Sequence, residues 1–221
     1  MLLLPPRLFA LLLGLALVPA QAAHAGETFE ISLGGDRLGQ VTHTAQGDTR
    51  DLALTLDSTP FGVFDGTYSG RSVTTGATTR HSGRTRSTRK SRDLSMTTES
   101  GALREVTIAP QSETTALTAP DAVTAPILDP VSGFSRLIET GACPDGLRIY
   151  DGRRVGLLSA TGARAEAGGV VCEARFEVQQ GPGYLEPLGI SRLSVELGYD
   201  AAWRLDWIRA RSGIFVLKLE R

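Results

Sequence analysis

Beyond the first 25 residues, apolar and polar side chains alternate along most of this chain. The period is the two-residue repeat that turns one face of a strand toward a core. Phe29, Ile31 and Leu33 alternate ahead of Gly34-Gly35, and Leu38 to His43 follows, which predicts an opening hairpin. Leu52, Leu54 and Leu56 predict the next strand, ended by Pro60. Leu94 with Met96, and Val106 with Ile108, predict two more across a Glu99-Ser100-Gly101-Ala102 turn. Further on, Val170, Cys172, Ala174, Phe176 and Val178 take one face while Glu173, Arg175 and Glu177 take the other. After Gly181-Pro182-Gly183 the pattern returns in Leu193, Val195, Leu197 and Tyr199, then Trp203, Leu205 and Trp207, then Phe215, Leu217 and Leu219. This last stretch reads as an antiparallel meander, its two tryptophans in the core rather than on a binding platform.

One segment breaks the period. Asp129 before Pro130, with Phe134, Leu137 and Ile138 on one stripe up to Thr140-Gly141, predicts a capped helix. The Thr-, Ala- and Pro-rich run from Ala109 to Pro126 reads as a surface linker, not a domain boundary. Beyond the helix, Leu147 to Tyr150 and Arg153 to Ser159 flank Asp151-Gly152, a dipeptide suited to a two-residue type I′ turn. A hairpin followed by the Cys172 strand is therefore expected. Cys143 and Cys172 are the two cysteines of the chain, and Cys172 falls on the apolar face of its strand, so the pair predicts a disulfide. The expected fold is mainly β: a single domain with a strongly curved antiparallel sheet, half-barrel or barrel-like, and one short helix near 130–140.

The N-terminus changes the setting. Arg7, the apolar run Leu8 to Val18 and Ala23-His24-Ala25 match a secretory signal, with cleavage expected after Ala25 and export of residues 26–221 to the periplasm. The apolar run is too short to span a bilayer, which disfavours the alternative of an uncleaved anchor. Nothing later in the chain reaches spanning length, so no transmembrane segment is expected in the mature chain.

A formal net charge of −1 at pH 7 announces no polyanionic partner, and nucleic acid is not expected for an exported chain. The exception is local. From Thr74 to Arg92 the chain is rich in Arg, Ser and Thr, and Arg84, Arg86, Arg89 and Lys90 form a candidate patch for an anionic membrane surface. The competing reading is a pair of solvated strand ends joined by a mobile loop. No aromatic residues interleave to stack on bases.

Chemistry is sparse. The patterns G-x-S-x-G, H-E-x-x-H, Walker A and G-x-G-x-x-G are absent. Only His43 and His81 remain beyond the signal segment. A Ser-His-Asp triad is assembled in space rather than in sequence, and nothing in the sequence nominates one. Asp145 and Asp151 each precede a glycine, which favours turns over an acid/base pair. Tyr150, Asp151 and Arg153 form a candidate binding group should they meet at a cavity mouth. Phe61 and Phe64 are candidate contacts for an apolar ligand, against the reading that they plug the core. No metal site and no cofactor are expected, since a stable site would need more ligands than two cysteines and two histidines, scattered as they are along the chain, bring together.

The residues from Asp129 to Phe176 resemble a bacterial exported family, domain of unknown function 3108. The likeness rests on Asp129-Pro130-Val131-Ser132-Gly133, Cys143-Pro144-Asp145, Ile149 to Arg154 and Val171 to Phe176. Val155 departs from the aromatic residue that family often carries after its Arg-Arg pair. The resemblance implies an exported, mostly antiparallel β domain and supplies no reaction. The functional expectation is a non-enzymatic binding or envelope-associated domain with an apolar concavity for a lipid-like ligand. The alternatives are an enzyme with an unrecognised site and a structural partner protein of the envelope.

Overall fold

A computed structural model describes residues 25–59, 65–88, 90–183 and 190–221. The signal segment, Phe61, Phe64 and Arg89 lie outside the described residues. The first seven strands are β1 (Ala25–Leu33), β2 (Asp36–Gln46), β3 (Thr49–Leu56), β4 (Gly66–Thr75), β5 (Thr78–Ser87), β6 (Ser91–Glu99) and β7 (Ala102–Ala109). A helix, α1 (Pro130–Glu139), follows a stretch of 3-10 turns. Six strands complete the chain: β8 (Leu147–Tyr150), β9 (Val155–Glu166), β10 (Gly169–Gln180), β11 (Arg192–Asp200), β12 (Leu205–Ser212) and β13 (Phe215–Glu220).

All the ladders are antiparallel and join one 13-stranded sheet in the order β7-β6-β5-β4-β3-β2-β1-β13-β12-β11-β10-β9-β8. The chain thus forms two meanders, β1–β7 and β8–β13, sewn together where β1 pairs with β13 through Ile31↔Leu219 and Leu33↔Leu217. The expected half-barrel or barrel-like closure is not found. The sheet is open, because β7 and β8 end it and no ladder joins them among the described residues. Covering chain occupies the edges instead. The Ile127 amide donates to the Gly101 carbonyl beside β7, and Leu128 bridges Ile149 of β8. Along β8 the bridge takes up part of the exposed edge, since the Leu128 amide donates to the Arg148 carbonyl and the Tyr150 amide to the Leu128 carbonyl.

Two hydrophobic clusters result. The larger gathers Phe29, Ile31, Val41, Leu197, Leu205 and their neighbours with Val131 and Leu137 of α1. The smaller packs Leu94, Met96 and Ile108 with Leu117, Ile127, Tyr150 and Val155. The predicted disulfide is present: Cys143, just after α1, is bonded to Cys172 of β10, with their Cα atoms 5.5 Å apart.

Local differences from the sequence reading have physical causes. Asp151-Gly152 is not a two-residue turn, since Asp151 to Arg154 all lie between β8 and β9. Asp151 Oδ1 there accepts from the amides of Arg153 and Arg154, both at 3.0 Å. The basic stretch is not a loop but most of a hairpin, β5 and β6, paired from Thr78↔Glu99 to Arg86↔Ser91. Along β12 an irregularity in the ladder beside Gly198 and Tyr199 shifts the alternation. Leu205 and Ile208 both point inward, Trp207 lies over Gly198, and Trp203 sits in a turn at φ 59.

Candidate functional site

The strands that looked least like strands place the molecule's buried polar groups. Ser72 of β4 and His81 of β5 are cross-strand partners. Both are buried, on the face of the sheet against which α1 packs. They converge on Asp129, which caps the helix and is only 2% exposed. The Ser72 hydroxyl donates to Asp129 Oδ1 at 2.6 Å. His81 Nδ1 lies 3.1 Å from the same oxygen and 3.0 Å from Ser72 Oγ. Oδ1 also accepts from the amides of Val131 and Ser132, both at 2.9 Å, and Oδ2 accepts from the Ser132 hydroxyl at 2.5 Å. Burial by itself would raise the Asp129 carboxyl. The His81 hydrogen bond and attraction, with the Ser132 and Ser72 hydroxyls, outweigh it and hold the carboxyl at about 2.

Two glycines make the approach possible. Gly70 of β4 opposes Gly83 of β5. A Cβ at Gly83 would stand 2.9 Å from His81 Nε2, and one at Gly70 would stand 2.7 Å from Val131 Cγ2 on the helix. Bare backbone therefore lets the rings and α1 lie close on the sheet. His81 Nε2 and Tyr68 Oη are buried there without a hydrogen-bond partner among the described residues. Burial, with the Asp129 charge behind it, pushes the Tyr68 hydroxyl up.

A second buried histidine supports the next turn of the helix. His43 Nε2 of β2 lies 2.8 Å from Ser135 Oγ, and the Ser135 hydroxyl donates to the Val131 carbonyl at 2.8 Å. The serine oxygen must then accept, which puts the imidazole proton on Nε2. Burial lowers the His43 pKa below 6.5, against the pull of Glu139.

A serine, a histidine and an aspartate thus meet, but not as a nucleophilic triad. That chemistry needs the serine on one imidazole nitrogen and the carboxylate on the other. Here both sit at Nδ1, and the serine proton is given to the carboxylate. Ser72 is 1% exposed, so a substrate has no path to its oxygen. The cluster holds the first turn of α1 on the sheet. Among the described residues, no group of three or more His, Cys, Asp or Glu is placed to hold a metal.

Elsewhere, a wholly apolar hollow of about 240 Å³ is lined by Leu158, Phe176, Leu193, Val195, Ile208 and Ala210, with Leu137 from α1. Val195 pairs with Ala210 and Leu197 with Ile208, so consecutive rows of one sheet face form its wall.

Of the residues nominated from sequence, the described ones Tyr150, Asp151, Arg153, Arg84, Arg86 and Lys90 do not line this hollow. Tyr150 is fully buried, and its hydroxyl donates to the Leu117 carbonyl at 2.6 Å, tying the linker to β8. Asp151 holds its own turn, with Arg154 Nε 3.3 Å from Oδ2. Arg153 pairs with Glu113 of the linker at 3.1 Å. Tyr150 and Arg153 thus anchor the linker, while Asp151 shapes the turn between β8 and β9. Arg84 and Arg86 share Asp93 at 3.3 and 2.7 Å, and Lys90 is exposed at the turn that follows.

An antiparallel sheet with one short helix packed on it is the class of protein this arrangement defines. No family model matches the chain, and no curated protein matches it. Among solved structures it is similar to a beta-barrel-like protein of domain of unknown function DUF1849 from Brucella abortus. The two share 10% sequence identity over 88% of this chain and 94% of that one, with a TM-score of 0.47. The resemblance to domain of unknown function 3108 is not upheld, since no family model matches the chain.

Proposed function

We propose that this chain is an exported, non-enzymatic binding domain of the cell envelope, which holds one acyl tail or a comparably slender apolar group in the hollow beside β9–β12. The observation that carries the reading is the lining of the hollow, which is apolar throughout. An apolar trough suits carriage, whereas a reaction site needs convergent polar groups. The buried Ser72, His81 and Asp129 cluster is instead enclosed beneath α1. Size narrows the ligand further. Sites for drug-sized molecules run from about 300 to 1,000 Å³, so a hollow of about 240 Å³ suits a single tail or ring better than a bulky ligand. Export is supported by the signal pattern around Arg7 to Ala25 and by the Cys143–Cys172 bridge, a bond favoured in oxidising compartments.

The test is a fluorescent acyl probe, whose emission shifts to the blue in an apolar site. Wild-type protein should bind it. Ala210→Phe, which projects a ring into the hollow, should weaken binding about tenfold or more while leaving the unfolding free energy from urea titration within about 1 kcal/mol of wild type. Equal binding by both proteins would remove the hollow from the account.

A further inference from the structure

At the tip of the β12–β13 hairpin the chain exposes what a hairpin turn seldom carries. The turn is two residues long, Gly213-Ile214, with Gly213 at φ 57. The second place of such a turn favours small polar residues, yet it holds isoleucine, 91% exposed, followed by Phe215 at 55%. Among the described residues no other large hydrophobic side chain is even half exposed.

The position of the tip gives it meaning. Phe215 pairs with Ser212, and Leu217 with Ala210, so Phe215 extends the same sheet face that lines the hollow by one row. Charges of both signs flank these strands, three basic and four acidic. Arg192 pairs with Glu177 at 2.9 Å, Arg37 pairs with Asp57 at 3.2 Å and with Glu30 at 3.5 Å, and Arg211 and Asp36 add one charge of each sign. We propose that Ile214 and Phe215 form a membrane-contact tip, inserting into the interfacial layer of a bilayer so that the adjoining hollow can receive an acyl tail.

This rests on the carriage reading above, and names the source from which the hollow is filled. Two observations favour a bilayer over a second protein. The two side chains offer on the order of 300 Å², below the ~800 Å² that each partner of a standard specific protein interface buries, whereas a bilayer demands no matching surface. The interspersed charges, most of them in ion pairs with one another, also form no single-sign patch to orient a protein partner.

The experiment is co-sedimentation with phosphatidylcholine vesicles and with phosphatidylethanolamine/phosphatidylglycerol vesicles, in about 0.1 M and 1 M salt, where Debye lengths are roughly 10 and 3 Å. The protein is purified from its own cells. Binding should occur with both compositions, change little with salt, and fall about tenfold or more in the double variant Ile214→Ser, Phe215→Thr. These residues suit a turn and a strand, and an unchanged urea midpoint verifies the fold. Absence of binding, or binding that the variant retains, would overturn the proposal. So would binding confined to the anionic vesicles and abolished by salt, which would point to the basic β5–β6 strands. Concentration-dependent dimerisation lost in the variant would overturn it in favour of a second copy. The acyl-probe assay separates the two claims: vesicle binding lost in the variant with wild-type probe affinity retained upholds the tip, and vesicle binding by a protein that takes no probe upholds the tip while sinking the hollow.

Discussion

Asp129 accepts five hydrogen bonds within one buried carboxylate, from the hydroxyls of Ser72 and Ser132, the amides of Val131 and Ser132, and the His81 ring. Its carboxyl is held at about 2 against an ordinary 3.8, a depressed value. The stability it contributes is therefore complete above pH 3.8 and drains away as the pH falls toward 2. By linkage that amounts to roughly 2 kcal/mol. His43 acts in a separate window. Its pKa is lowered from 6.5, so the unfolded chain takes up the proton first and stability declines as the pH falls below 6.5. Urea titrations across pH should show both losses. Asp129→Asn should remove the lower one and cost about 2–4 kcal/mol at neutral pH, since it strips the cap and leaves the groups around it mispaired. An Asp129→Asn protein as stable as wild type at neutral pH would dismiss the clamp.

At the scale of elements, the helix was legible because its signals are local: Asp129 caps, Pro130 takes the first turn, and Phe134, Leu137 and Ile138 form the apolar stripe, of which Leu137 is buried and the other two half-buried. The strands β4 and β5 were not legible, and the reason is the cluster itself. Their inward positions include Gly70, Ser72, His81 and Gly83, residues chosen to reach Asp129 and to let the helix approach. Such a face shows no hydrophobic alternation, so polar strands read as a basic loop. The disulfide was legible from the pairing of two cysteines with an apolar strand face. It ties the end of α1 to β10 across a separation of 29 residues, which in the chain-entropy model stabilises by roughly 3–4 kcal/mol. Cys143→Ser and Cys172→Ser should each lower the unfolding free energy from urea titration by about that much, and the double variant should be no worse than either. Two titratable thiols in unreduced, denatured protein would contradict the bridge.

At the scale of the molecule, the number and direction of many strands followed from period and turns, but the outline of the sheet did not. Whether a sheet closes depends on its last strands finding each other, and β7 and β8 are instead covered by the linker between them. The junction of β1 with β13 is equally invisible to local pattern, because it joins Leu33 to Leu217. The hollow inherits this non-locality: its wall draws on α1, β9, β10, β11 and β12 together. Tyr150, Asp151 and Arg153 were nominated as binding residues because a turn rich in functional groups looks alike in sequence whether it faces a ligand or a linker. The central claim, that an exported chain carries an apolar group in this hollow, meets its most direct test in native mass spectrometry of protein taken from its own cells. One spectrum reports both halves of the claim. The account predicts a chain mass beginning at Gly26, with an apolar adduct that organic solvent releases and that Ala210→Phe lacks. A chain retaining its first 25 residues, or one that is bare or carries a strongly polar ligand, would contradict it.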